Sequence, residues 1–310
     1  MTIGPRATSC MSKVFNSMVH LELTKLTGLM HRTLGSPAVK IGLIDGPVST
    51  DHPDLSRENV REIPGRNGTC AQSNSKACMH GTFVAGILAA KRGSTAPSIC
   101  PGCLLLVRPI FSERTVLDDP VPNATPLELA TAIHECIDSG ARVINLSLAV
   151  AMPSLRAERP LEESLDRALS RNVIVVAAAG NQGTLGSTAI TRHPWVIPVV
   201  GCNLSGTPLN ESNLGSSIGR RGLCAPGSSV ISLSPSRHPL TLSGTSIAAP
   251  FVTGTIALLW SEFPRATASE IKLAMAGTTR NRRLHVTPPL LNAAAAYNSL
   301  LAARVARSIG

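Results

Sequence analysis

The residues best suited to chemistry lie in the run Ser243-Gly244-Thr245-Ser246-Ile247-Ala248-Ala249-Pro250, which leads into a long apolar stretch. It reads as a hydroxyl on a tight glycine turn at the start of a buried helix. A serine hydroxyl is a poor nucleophile at neutral pH, so it needs a base, and the oxyanion it generates needs preorganised donors. Candidates occur elsewhere in the chain. His80 begins His80-Gly81-Thr82-Phe83-Val84-Ala85-Gly86, whose small residues suit a helix packed closely on other backbone. Asp45 follows an apolar run in Ile44-Asp45-Gly46-Pro47-Val48. Asn181 follows Ala178-Ala179-Gly180 and offers a side-chain amide. Acid, base and hydroxyl thus occur in the order Asp45, His80, Ser246.

Each residue alone has a plainer role. Ser246 fits a helix N-cap. His80 fits a structural histidine, and Asp45 and Asn181 fit turns. Only the constellation favours catalysis. The other histidines assemble no competing set: His52 shapes the loop after Asp45, His134 falls on the exposed side of a helix, and His193 falls in the loop after Asn181, near a substrate.

These groups need a scaffold. Short, nearly continuous apolar runs at 39–44, 104–107, 143–148, 173–178 and 196–200 read as strands buried on both faces. Helical patterns lie between them, at Pro126–Ser139 and Leu161–Leu169, and an alanine-rich helix closes the chain at about 290–307, after Pro288-Pro289. This alternation predicts an α/β fold with a mainly parallel sheet. Chemistry in such sheets sits beyond the carboxyl ends of the strands. Asp45 and Asn181 fall just after two of them. Segments 112–126 and 149–160 read as surface loops.

The chain has 310 residues, 43% of them hydrophobic, enough for a full core. No apolar run is long enough to span a bilayer, and residues 1–30 lack the apolar core of a secretory signal. A cytoplasmic protein without a membrane partner is expected. The net charge of +10 raises nucleic acid as a partner. Yet the basic residues are dispersed, apart from Arg280, Arg282 and Arg283, and aromatics are only 3%, too few for stacking platforms. No nucleic acid is expected; the charge suits acidic peptides. Of eight cysteines, Cys70 and Cys78 flank one loop, and Cys100 and Cys103 form a C-x-x-C. Four thiolates could hold zinc, but the spacing of the first pair is too wide for the usual pattern, so reduced thiols or a facultative disulfide are favoured. Cys10, Cys136, Cys202 and Cys224 are scattered. Acidic residues are few and unclustered, which argues against a high-affinity calcium site. No metal or cofactor is expected.

The blocks Asp45-Gly46, His80-Gly81-Thr82, Ala179-Gly180-Asn181 and Gly244-Thr245-Ser246-Ile247-Ala248-Ala249-Pro250 resemble the signature blocks of the subtilisin-like serine proteases, and Leu291-Asn292-Ala293-Ala294-Ala295 resembles that family's closing helix. The likeness covers roughly residues 36–300, and four blocks in order argue against chance. The resemblance implies a three-layer α/β fold, with a mainly parallel central sheet and helices on both faces. It implies a peptidase domain over 36–310, after an N-terminal extension over 1–35. It implies Ser246 as nucleophile, His80 as general base, Asp45 as its orienter, and Asn181 with the Ser246 N–H as the oxyanion hole. Substrate would pair as an added strand with Ser147, Leu148, Ala179 and Gly180. The family usually has two glycines after its Ser-Leu; here Ala149 and Val150 follow, which would reshape the pocket.

The stretch Leu26–Pro37, running into Ile41–Val48, with Leu223-Cys224-Ala225-Pro226-Gly227, is similar to the cyanobactin-maturation proteases. This implies an intracellular serine endopeptidase that cleaves a ribosomal precursor peptide through an acyl-enzyme. Leaders of such peptides are often acidic, and +10 would attract them. Macrocyclising relatives carry a helical lid between acid and histidine; Asp45 and His80 are only 35 positions apart, which leaves no room for a substantial one, so hydrolysis is expected. Only 44 residues precede Asp45, fewer than a signal plus a folding propeptide would take. A general intracellular protease and an inactive peptide-binding module remain the alternatives.

Overall fold

The five apolar runs pair side by side as parallel strands. The computed structural model describes residues 18–63, 70–111, 113, 124–147, 158–277 and 285–309. After a helical stretch at 18–23, the elements are α1 (Thr27–Arg32), β1 (Lys40–Asp45), β2 (Val60–Glu62), α2 (Lys76–Ala89), β3 (Leu104–Pro109), α3 (Pro126–Asp138), β4 (Val143–Leu146), α4 (Arg159–Ser170), β5 (Ile174–Ala178), α5 (Ala189–Arg192), β6 (Val196–Cys202), α6 (Ser216–Arg221), β7 (Leu223–Pro226), β8 (Val230–Ser232), β9 (Leu240–Leu242), α7 (Thr245–Glu262), α8 (Ala268–Ala276) and α9 (Ala293–Ile309).

Seven strands form the sheet in the order β2-β3-β1-β4-β5-β6-β7, all parallel, while β8 and β9 make a separate antiparallel ribbon. β4, β5, β6 and β7 are buried at every position, as expected for a sheet covered on both faces. On one face α7 lies across β4 to β7 and against α2. Among its 18 residues only Ser246, Ser261 and Glu262 escape burial, so α7 is apolar all round and forms the middle of the molecule. On the other side α3 and α4 pack together against β1, β3 and β5. This is the three-layer α/β architecture that the resemblance implies. Thr125 starts α3 with a capping box: its side chain accepts from the Glu128 N–H, and Glu128 accepts from the Thr125 N–H.

Several boundaries differ from the sequence expectation. Asp45 is the last residue of β1 rather than the first after it, and β4 stops at Leu146, leaving Ser147 as the first residue beyond. The segment 18–35 packs on the body, with Leu21, Leu26, Leu29 and Met30 in the main core. The Arg280, Arg282 and Arg283 cluster and Leu148 lie outside the described residues. Among the described residues, no helix is long and apolar enough to cross a membrane.

Candidate active site

Asp45 comes off the end of β1 with its side chain fully buried. His80 sits in the second turn of α2, five residues in, rather than at the helix start. The two meet because Gly46 and Gly81 let their backbones cross: a Cβ at Gly46 would overlap the Ala77 carbonyl, and one at Gly81 would overlap the carbonyls of Gly46 and Pro47. Asp45 Oδ1 accepts from the Gly46 N–H at 2.6 Å and from His80 Nδ1 at 2.7 Å. That bond fixes the tautomer, so Nε2 is the acceptor. It lies 2.9 Å from Ser246 Oγ, which donates to it.

Ser246 is the second residue of α7. Gly244, the preceding cap, has φ +133°, a conformation open to glycine. The Ser246 N–H is among the helix-start donors that lack an intrahelical partner. Asn181, exposed at the end of the segment after β5, accepts the Thr245 N–H on Oδ1 at 2.9 Å. Anchoring that oxygen turns the amide nitrogen toward Gly244, beside Ser246. The Asn181 amide and the Ser246 N–H therefore both stand at the N-terminus of α7, where the helix dipole favours negative charge.

Electrostatics follow from this geometry. Burial presses the His80 pKa down, but the charge of Asp45 and its hydrogen bond outweigh it, and the net shift is upward from 6.5. Folded His80 thus holds its proton more tightly than in the unfolded chain. The resulting stabilisation is complete below the unfolded value and lost as pH rises through the folded one.

The helix bearing His80 is anchored at its start. Ser75 caps it by accepting from the Cys78 N–H at 3.4 Å. Cys70 and Cys78 form a disulfide with Cα atoms 5.5 Å apart, and Glu113 accepts from the N–H groups of Ala71 and Gln72. The disulfide removes two thiolates from the four-cysteine site considered above; Cys100 and Cys103 are free and buried.

Other expectations meet mixed outcomes. Ser147 lies against the site, with its Oγ donating to the Ser246 carbonyl at 3.0 Å. Ala179 and Gly180 cannot give a substrate strand their N–H groups. The Ala179 N–H donates to the Val199 carbonyl, and the Gly180 N–H to Thr245 Oγ1. Their carbonyls accept from Asn213. The segment can wall a pocket but cannot donate to a β-ladder. His52 does shape its loop, accepting the Asp54 N–H at 3.1 Å. His193 is not near a substrate: it bonds Asp166 at 3.2 Å beside Trp195, whose indole N–H donates to the Val173 carbonyl, at the opposite end of the strands. His134 is half-buried rather than exposed. Asn213, which sequence reasoning missed, braces the loop around Asn181 by accepting from the Gln182 and Thr184 N–H groups on Oδ1. No sequence motif marks it.

The family model for the peptidase S8 subtilase family matches residues 36–297. Subtilisin DY of Bacillus licheniformis is 30% identical over 249 residues, covering 78% of this chain and 84% of its own. Among solved structures, the protease domain of PatA is 30% identical with a TM-score of 0.78, over 87% of this chain and 97% of its own. The prenylagaramide maturation protease PagA is 27% identical with a TM-score of 0.77, over 89% and 98%.

Proposed function

The chain belongs to the subtilase family, a family of serine proteases, and we propose from this that it is an endopeptidase acting through Ser246, His80 and Asp45 on a ribosomal precursor peptide. The observation that carries the reading is the hydrogen-bonded line from Asp45 through His80 to Ser246, with the Asn181 amide and the Ser246 N–H beside it. Ser246 attacks the scissile carbonyl as His80 Nε2 takes its proton. The oxyanion forms against Asn181 Nδ2 and the Ser246 N–H. His80 then returns the proton to the departing amine, and Asp45 stabilises the imidazolium throughout. Water, activated by His80, releases the acyl group. Hydrolysis rather than transamidation fits the segment between Asp45 and His80, where the described residues hold only β2 before α2 and no helical lid. Ser246 and His80 are both partly open to solvent.

The mechanism fixes a pH dependence. His80 must be neutral to accept the proton, and its pKa is raised, so kcat/KM should fall toward acid with a midpoint above 6.5. In Asp45→Asn the residual activity should titrate at lower pH, because the group that raises the value is gone. A midpoint unmoved by that substitution contradicts the roles given to Asp45 and His80.

The precursor-peptide reading is supported by PagA and PatA, which are named as the prenylagaramide and patellamide maturation proteases. The charge of +10 favours an acidic leader as the recognised segment. Paired peptides with one cleavage sequence and a Glu-rich or Gln-rich leader test this. The acidic peptide should be cut faster, chiefly through a lower KM, and 0.5 M salt should erase the difference; equal rates at low salt overturn the leader assignment. A cytoplasmic location meets one contrary observation, the Cys70–Cys78 disulfide, since such bonds persist mainly in oxidising compartments. Alkylation at cell lysis, read by mass spectrometry, decides it: free thiols support the cytoplasm, and a bonded pair argues against it.

A further inference from the structure

Pro250 lies inside α7, four residues after Ser246. In an uninterrupted helix the Ser246 carbonyl would accept from the N–H of residue 250; proline has none, and its ring crowds that same carbonyl. The freed carbonyl is met from outside the helix. Ser147 Oγ–H donates to it at 3.0 Å. Ser147 Oγ in turn accepts from Asn145 Nδ2 at 2.5 Å, and Asn145 Oδ1 accepts from Thr253 Oγ1–H at 2.8 Å. Asn145 and Thr253 are fully buried, and Ser147 nearly so. Thr253 stands seven residues after Ser246, two turns along the same helix face. The bonds therefore close a circuit: from α7 at Thr253 to β4 at Asn145, along to Ser147, and back to α7 at Ser246. Every donor has one acceptor, and the direction is fixed throughout.

The circuit has a purpose in the sheet. β1 and β4 are neighbours, with Ile44 in register with Leu146. Asp45 and Ser147 are the next residue of each, so they stand side by side at the same edge of the sheet. Tying the Ser246 carbonyl to Ser147 references Ser246 to the strand pair that carries Asp45. An asparagine in the middle of a buried sheet is costly unless its amide is satisfied, and this one is satisfied only by the circuit partners, Ser147 and Thr253, among its described side-chain bonds. We propose that Ser147, Asn145 and Thr253 are positioning residues, which replace the hydrogen bond Pro250 removes and so set Ser246 Oγ on His80 and its N–H on the oxyanion.

This rests on Ser246 being the nucleophile, and the test separates the two ideas. Peptide hydrolysis and fluorophosphonate labelling are measured for wild type, Ser147→Ala, Pro250→Ala, the double variant, Thr253→Val and Thr253→Ser, with melting temperatures to establish folding. Ser147→Ala should lower kcat by about 10-fold to 100-fold, the scale of an ångström-sized misplacement, with KM little changed. Adding Pro250→Ala restores an N–H at position 250, so the double variant should recover most of that loss. Thr253→Val should fall in kcat, and Thr253→Ser, which keeps the hydroxyl, should match wild type. An unreactive wild type overturns the nucleophile itself. A reactive wild type whose Ser147→Ala loss appears in KM, or is not rescued by Pro250→Ala, overturns the circuit alone.

Discussion

Replacing Ser246 with alanine should lower kcat by about 10⁶-fold, a magnitude measured on a subtilisin and so on a member of this family. The geometry supports so large an effect because, among the described residues, Ser246 carries the hydroxyl that is bonded to His80. The Ser246 Oγ is the atom bonded to His80 Nε2, and His80 has its other nitrogen committed to Asp45. Removing the hydroxyl leaves a base with no proton to take. A residual acceleration of about 10³–10⁴ over water should remain, from the oxyanion donors and substrate binding. His80→Ala should cost as much, and the two together little more, since in the proposed mechanism base and nucleophile act in one proton transfer. Fluorophosphonate labelling should vanish in Ser246→Ala while the melting temperature stays near that of wild type. Undiminished cleavage by the alanine variant would remove Ser246 from the mechanism.

Asn181→Ala should lower kcat by about 10²–10³-fold, roughly 3–4 kcal/mol of transition-state stabilisation, with KM close to wild type. An oxyanion-hole asparagine of subtilisin, a member of this family, falls in the same range. As the proposed oxyanion donor, the amide would meet full negative charge only during reaction, so its loss belongs in kcat. Alanine also strips the Thr245 N–H of its acceptor, which loosens the start of α7. Asn181→Asp separates these effects. The aspartate can still accept the Thr245 N–H and should retain stability, yet it brings a negative charge to the oxyanion and should be no more active than alanine. If Asn181→Asp keeps wild-type kcat, the oxyanion is held elsewhere.

Much of the scaffold can be read before the fold is seen, and the reason is burial. Runs such as 174–178 and 196–202 are apolar at successive positions because helices cover both sides, so no alternation competes with the pattern. β2 and β9 escape notice because Val60-Arg61-Glu62 and Leu240-Thr241-Leu242 are too short to show a period. Asp45, His80 and Ser246 are legible as blocks, but their meeting depends on Gly46 and Gly81 crossing, a tertiary contact that no spacing encodes. His193 misleads for the opposite reason. It follows Asn181 closely in sequence, yet the chain runs through α5 to the far end of the sheet before β6 begins. Ala179 and Gly180 look like a free edge until their N–H groups are traced to Val199 and Thr245. Ser147 and Pro250 are both visible in the sequence; what is hidden is that one supplies the donor the other lacks.

The place of α7 in the chain has a temporal consequence. Ser246 lies 166 residues after His80, and the strands that α7 covers, β4 to β7, all precede it. A ribosome adding about 5–20 residues each second incorporates Asp45 and His80 roughly 8–30 s before Ser246. During that interval the growing polypeptide lacks both α7, the middle of the molecule, and the residue proposed as nucleophile. The line from Asp45 to Ser246 can form only when α7 seats on strands that were all made before it.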